Sequence, residues 1–119
     1  MARVVALIPD LLFGSRVLAG LSAAGHDVEL VAEAGKVHER LAHIEVLVVD
    51  LTDAELSGVG LVRTLTAEGA PAGVRTLGFY SHVEAEARRQ AEDAGFDLVV
   101  PRSRMAREGP SLVARVLAQ

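Results

Sequence analysis

Two aspartates stand where apolar runs of the chain end, and carboxylates in such places can do chemistry. Asp50 closes the run IEVLVVD at 44–50, and Asp10 follows the run RVVALI at 3–8 after a single proline. A carboxylate at the end of a buried strand can attack phosphorus as a nucleophile or hold a metal ion. A simpler interpretation is an aspartate that caps its own turn. The sequence leaves both interpretations of Asp50 open.

Apolar runs alternate with amphipathic segments along the chain, and this order predicts the elements that position both aspartates. Continuous β-branched runs are typical of strands buried on both faces, and apolar residues three or four apart indicate helices. We predict strands at 3–8, 26–32, 44–50, 73–80 and 96–100. We predict helices at 11–24, 35–42, 56–69, 82–95 and 109–118, the last with Pro110 in its first turn.

Strands that alternate with helices in this way predict an α/β fold. We expect one domain over residues 1–119, a three-layer α/β/α sandwich around a doubly wound, five-stranded parallel sheet. The flavodoxin-like order 2-1-3-4-5 is the commonest at this size, and the alternating pattern of strand 2 suits an edge. Strands 1 and 3 then flank the switch point, beyond which ligands bind. The predicted fold therefore brings Asp10 and Asp50 to one edge of the sheet.

The composition argues against several classes of function. The 119 residues carry a formal net charge of −4 without a basic block, which speaks against nonspecific nucleic-acid binding. The apolar runs are too short to span a membrane, and the N-terminal run lacks a signal-peptide cleavage pattern. The sequence has no Cys, no G-x-G-x-x-G and no P-loop. We expect a cytoplasmic protein that binds neither nucleic acid nor a membrane.

Two longer stretches resemble the receiver (CheY-like) domains of two-component response regulators. VLVVDLTDAELSGVGLVRTL at 46–65 resembles the phosphorylation strand, loop and third helix of a receiver. AEDAGFDLVVPR at 91–102 is similar to the end of the fourth helix and the fifth strand. The likeness covers essentially the whole chain, and it implies the receiver fold.

The resemblance also assigns roles to individual residues. It implies that Asp50 is the phosphoacceptor and that Arg102 takes the place of the active-site Lys. Ser81 is the implied phosphoryl contact after strand 4, and a slip of one residue would put Tyr80 there instead. Thr52 is a further candidate contact in the loop after Asp50. These assignments predict a phosphoryl site at the same sheet edge as the two aspartates.

The chain departs from the receiver pattern at the metal site. Receivers end strand 1 in two acidic residues that hold Mg²⁺, but these positions are Ile8 and Pro9 here, and Asp10 comes one residue late. Because Mg²⁺ demands near-octahedral oxygen ligands, Asp10 and Asp50 form an incomplete metal pair. Arg102 offers a planar fork where a point charge is expected. We therefore expect a degenerate receiver, or pseudo-receiver, with no resident cofactor and at most weak Mg²⁺ binding.

Three functions follow from this comparison. The preferred one is non-enzymatic signalling by a stand-alone domain that contacts protein partners, a histidine kinase or a downstream regulator, and forms a homodimer. The alternative is a phosphorylation-competent receiver that accepts a phosphoryl group on Asp50 with Mg²⁺ at Asp10 and Asp50. A third class is a small flavodoxin-like protein that binds a ligand or cofactor at the same edge.

An apolar run and a basic run remain to be interpreted. Leu11, Leu12 and Phe13 either pack in the core under the first helix or form an exposed surface for a partner or a second copy. Arg102, Arg104 and Arg107 follow strand 5, where a solvated loop is the simpler interpretation and an anion or partner contact the alternative. The residues Gly14, Ser15 and Arg16 suggest an anion contact near a helix start.

Overall fold

The structure, a computed structural model, contains a parallel sheet with helices on both faces, and it describes residues 2–53, 56–68, 73–81 and 85–119. The strands are β1 (Arg3–Leu7), β2 (Asp27–Val31), β3 (Val46–Asp50), β4 (Arg75–Tyr80) and β5 (Leu98–Pro101). The helices are α1 (Leu11–Ala23), α2 (Ala34–Arg40), α3 (Gly58–Ala67), α4 (Ala85–Ala94) and α5 (Arg102–Leu117), with a 3-10 turn at Leu41–His43. The predicted α/β fold is confirmed. Across these ranges, no helix is both long and apolar enough to cross a membrane.

The strand order is β2-β1-β3-β4-β5, as the sequence predicts. The neighbours β1 and β3 are parallel, with Leu7 beside Val49, and β4 continues the sheet with Phe79 beside Asp50. The chain leaves β1 toward β2 on one side and β3 toward β4 on the other. The carboxyl ends of β1 and β3 therefore form the switch point of a doubly wound sheet.

Two separate apolar layers cover the sheet, because side chains alternate between its faces along each strand. Val46 and Val48 face one layer, whereas Leu47 and Val49 face the other. The first layer is completed by buried residues of α1 and α5: Phe13, Val17, Leu21, Met105, Leu112, Val113 and Val116. The second is completed by buried residues of α2, α3 and α4: Val37, Leu61, Val62, Leu65 and Ala91. By the same alternation, Asp50 ends β3 on the side of α1 and α5.

The last helix differs most from the prediction. It begins at Arg102, directly after β5, and not at Gly109, so the predicted loop with three arginines is wrong. Met105 is only 1 % exposed and anchors this first helical segment in the core. The backbone is non-helical at Glu108, with φ −124° and ψ 17°, and a second segment then begins around Pro110. Pro110 thus marks a kink between two helical segments, because its ring removes a donor and restricts the residue before it.

Other boundaries differ by a few residues. The predicted helix at 35–42 ends as α2 at Arg40 and continues as the 3-10 turn. The predicted start of the fourth helix at 82 lies outside the described residues, and α4 is described from Ala85. These differences leave the sheet and its carboxyl edge unchanged.

Candidate functional site

Asp50 ends β3, whose five residues are all buried. The side chain is 2 % exposed and is the buried polar or charged residue of the described core. Its Oδ1 accepts two hydrogen bonds from Thr52, one from the backbone N–H at 2.7 Å and one from the hydroxyl at 2.6 Å. Asp50 therefore caps its own turn, which is the simpler of the two interpretations, and Thr52 contacts this carboxylate directly.

Asp10 is held by the first turn of α1 and by α5. It is the N-cap of α1, and its Oδ1 accepts from the backbone N–H groups of Leu12 at 3.0 Å and Phe13 at 3.1 Å. The guanidinium of Arg102 donates to its Oδ2 at 3.0 Å. The Phe13 N–H and then Arg102 hold the pKa of the Asp10 carboxyl below its ordinary value, because each favours the charged form. Both oxygens of Asp10 are thus already engaged.

Arg102 also lies on an aromatic pair. Its guanidinium carbon is 4.2 Å from the centroid of the Phe13 ring, within the range of a cation–π contact. Phe13 in turn packs on Phe79, with ring centroids 5.0 Å apart. Since Phe79 pairs with Asp50 across the sheet, this stack runs from the switch point outward to the first residue of α5. Arg102 therefore lies near the predicted site, but its observed partner is Asp10.

The two candidates at the end of β4 lie in different surroundings. Tyr80 is the last residue of β4, is 7 % exposed and belongs to the core layer of α2, α3 and α4. Ser81 follows it, is half-buried, and lines a surface cleft together with Thr52 and Arg102. Of the two, Ser81 is the one whose side chain shares a cavity with the other predicted contacts.

The predicted metal ligands do not form a cage that suits Mg²⁺. Asp10 uses one oxygen to cap α1 and the other to bind Arg102. Asp50 uses Oδ1 to hold Thr52. Within the described ranges, no three His, Cys, Asp or Glu side chains lie close enough together to hold a metal. Since Mg²⁺ takes hard oxygen ligands in near-octahedral geometry, this donor set fits it poorly.

The apolar run after Asp10 is divided between surface and core. Leu11 is 74 % exposed and Leu12 is 87 % exposed, and they are the large apolar side chains that the described surface leaves open. Phe13 is 7 % exposed and packs in the layer of α1 and α5. The core interpretation therefore holds for Phe13, which is too buried to serve as an interaction residue. It is wrong for the two leucines, which are exposed.

Comparison with known proteins identifies the fold. No protein-family model matches the chain, and no curated protein sequence matches it significantly. The receiver domain of the response regulator NarL from Mycobacterium tuberculosis superposes with a TM-score of 0.83 at 20 % identity, over 98 % of this chain and 96 % of that one. FixJ-N superposes at 0.86 with 17 % identity, over 100 % and 95 %. The Francisella response regulator 1452 receiver domain superposes at 0.85 with 13 % identity, over 99 % and 98 %.

The chain has the fold of a response regulator receiver domain. Within this receiver fold the predicted site residues Asp10, Asp50, Ser81 and Arg102 come from four different elements or their ends, and all lie at the carboxyl edge of the sheet. The confirmed strand order thus brings these segments to one edge of the sheet, where Arg102 pairs with Asp10. Sequence reasoning missed Phe13 as the support of Arg102 and Ser103 as a residue of the shared cleft. No local pattern signals the first of these, because Phe13 and Arg102 meet only through the fold.

Proposed function

We propose that this chain is an atypical receiver domain, which signals through protein contacts and accepts phosphoryl groups on Asp50 poorly. One observation carries the proposal: Asp10, the carboxylate that directly follows the expected ligand positions 8 and 9, is engaged at both oxygens. It would have to release the N-terminus of α1 and Arg102 before it could turn to share a cation with Asp50. The positions at which the receiver resemblance expects acidic ligands are Ile8, which is 1 % exposed, and Pro9.

The chemistry of phosphoryl transfer explains why this matters. The protein accelerates such transfer mainly by positioning the groups and by neutralising the charge of the phosphoryl oxygens. Here Arg102 is already paired with Asp10, and Asp50 is 2 % exposed with one oxygen bound to Thr52. An incoming phosphoryl group would therefore meet neither a preformed metal site nor an unpaired cation at Arg102.

The first experiment incubates the protein with Mg²⁺ and acetyl phosphate and measures its intact mass. We expect no stoichiometric species heavier by about 80 Da, the mass of one phosphoryl group. Such a species, absent from the Asp50→Asn variant, would overturn the proposal. It would establish the alternative, a phosphorylation-competent receiver. That alternative is favoured by one observation, the position of Asp50, Thr52, Ser81 and Arg102 at one edge of the sheet.

A gain-of-function variant tests the cause. Pro9→Asp with Arg102→Lys restores the carboxylate and the point charge that the receiver resemblance expects at these positions. We expect this double variant to acquire the mass adduct and saturable Mg²⁺ binding. The matched control is Pro9→Asn with Arg102→Lys, which has nearly the same shape without the added carboxylate. Equal behaviour of the two double variants would show that the lost carboxylate is not what limits the reaction.

We further propose that the domain acts in the cytoplasm by contact with protein partners, a histidine kinase or a downstream regulator, and that it forms a homodimer. Leu11 and Leu12 are the proposed anchors of the dimer contact, because they lie side by side at one helix end and are widely exposed. Two side chains are too small to form a whole interface, which buries about 800 Å² per partner. Light scattering should report a dimer, and its dissociation constant should rise in Leu12→Ser. A monomeric wild-type protein, or an equal dissociation constant in the variant, would contradict this contact.

A further inference from the structure

An open cleft of about 880 Å³ lies between α1 and the first segment of α5. Its volume is in the range of small-molecule sites, about 300–1,000 Å³. The lining residues are Phe13, Arg16, Thr52, Ser81, Arg102, Ser103, Ala106 and Arg107. Three of them are arginines, three carry hydroxyls, and none is acidic, although acidic residues outnumber basic ones in the chain as a whole.

The arginines of the cleft are poorly neutralised by the protein. Arg16 makes no ion pair in the part of the chain that the structure describes. Arg107 has one acidic neighbour, Glu108, at 3.9 Å, and the Arg107 side chain is 71 % exposed. Arg102 is balanced by Asp10, which is not a lining residue. The cleft therefore carries one arginine, Arg16, without an ion pair among the described residues, and a second, Arg107, whose one acidic neighbour lies at the limit of ion-pair distance.

The donors are of the kind that binds phosphate. Guanidinium groups bind phosphate oxygens in a bidentate fork, and charge-assisted hydrogen bonds are stronger than neutral ones. Only one nitrogen of Arg102 donates to Asp10, and the stack on Phe13 holds the group in place. The hydroxyls of Ser81 and Ser103 make no hydrogen bond to a described residue, so they are available as donors.

We propose that this cleft binds a small molecule that carries at least two negative charges on phosphate groups. Arg16 and Arg107 supply the attraction from the two helices, and Arg102 with the serine hydroxyls supplies fixed donors at the sheet edge. The inference does not rest on phosphorylation of Asp50, since Asp50 is not among the lining residues. The phosphate compound should still bind to Asp50→Asn, so this proposal and the proposed function can fail independently of each other.

The test is calorimetric titration of the whole chain with inorganic pyrophosphate, without divalent cations and at fixed ionic strength. We expect saturable one-to-one binding with a dissociation constant of about 0.1–1 mM. Orthophosphate, with fewer charges, should bind more weakly. Affinity for pyrophosphate should fall as salt is added, because an open site is screened. Absence of saturable pyrophosphate binding would overturn the proposal.

Arginine variants locate the site. Arg16→Gln and Arg107→Gln should each weaken pyrophosphate binding about tenfold, the loss expected for one charge-assisted contact. Arg89→Gln is the matched control, because the Arg89 side chain is 72 % exposed and has one acidic neighbour, Glu86, at 3.5 Å on α4. If all three variants bind pyrophosphate as tightly as the wild type, the ligand binds elsewhere. If all three lose affinity equally, binding reflects only the net charge of the protein. Either result would refute the proposed site.

Discussion

Gly58 allows α3 to approach the loop that follows Asp50, and alanine at this position should destabilise the protein. A Cβ atom there would lie 2.6 Å from Cγ1 of Val49 and 3.1 Å from Cδ2 of Leu51. Ordinary carbon contacts are about 3.5–4.0 Å, so the first approach is about 1 Å too close. Val49 is fully buried and β-branched, so its side chain has little freedom to turn away. The helix or the strand end must shift instead.

Two opposing terms decide the magnitude. Overpacking of a tight core costs about 1–3 kcal/mol. Alanine recovers at most about 1 kcal/mol of helix propensity over glycine, and less at the first residue of a helix. The net loss in free energy of unfolding should therefore be about 1–2 kcal/mol. Gly20 is the matched control, because it is exposed within α1 and a Cβ there would meet nothing within 4 Å. Gly20→Ala should stabilise the protein by about 0.5–1 kcal/mol.

Urea unfolding followed by circular dichroism measures both variants. With a slope near 2 kcal/mol per molar urea, Gly58→Ala should lower the midpoint by about 0.5–1 M. Gly20→Ala should raise it by about 0.25–0.5 M on the same slope. The slopes themselves should stay equal, which shows that the variants unfold from similarly compact states. A Gly58→Ala midpoint at or above the wild-type value would refute the steric argument, since propensity alone would then decide the outcome.

Three further outcomes are expected. The pKa of Asp10 is lowered by folding from about 3.8, so the stabilisation it provides is complete above that value and is lost as the pH falls through the lower folded pKa. Below about pH 4 the melting temperature should accordingly fall less steeply with falling pH in Asp10→Asn than in the wild type. An equal dependence of the melting temperature on pH in the two proteins would contradict the pairing with Arg102. Phe79→Ala should cost about 3–5 kcal/mol in urea unfolding, because Phe79 is fully buried. Ser57→Gly should raise the melting temperature slightly, because Ser57 has φ 52° and ψ 51°, a left-handed conformation that glycine adopts without strain; a lower melting temperature would point to an unrecognised side-chain role.

The fold could be predicted because its signals are local. Each buried strand is a continuous apolar run, and the order of runs and helical stripes leaves few right-handed topologies. The division of the apolar run at 11–13 was only partly within reach of the sequence. Counting back from Val17 by three and four residues gives Gly14 and Phe13, which face the core, and leaves Leu12 off the stripe. Leu11 lies three residues before Gly14 and so matches the stripe, yet it is exposed at the first residue of α1.

The pairing of Arg102 could not be predicted in this way. Asp10 and Asp50 lie at the same sheet edge, and both are carboxylates that an arginine can bind. The choice depends on where α5 begins and on the support of the guanidinium by Phe13, which is distant in sequence. The glycine and proline before the second segment of α5 pointed to a later start. The helix instead begins at Arg102, because the buried Met105 anchors an earlier segment.

The early start of α5 has a consequence for the metal site. Asp10 stabilises the positive end of α1 and at the same time neutralises Arg102 at the beginning of α5. Turning Asp10 toward Asp50 to share a cation would leave two backbone donors of α1 and one guanidinium without their partner. A new carboxylate at Pro9 breaks none of these contacts. Adding a carboxylate should therefore succeed through Pro9→Asp. A variant that merely frees Oδ2 of Asp10, such as Arg102→Leu, should still fail to bind Mg²⁺, because the α1 cap on Oδ1 continues to hold the carboxylate in its present orientation.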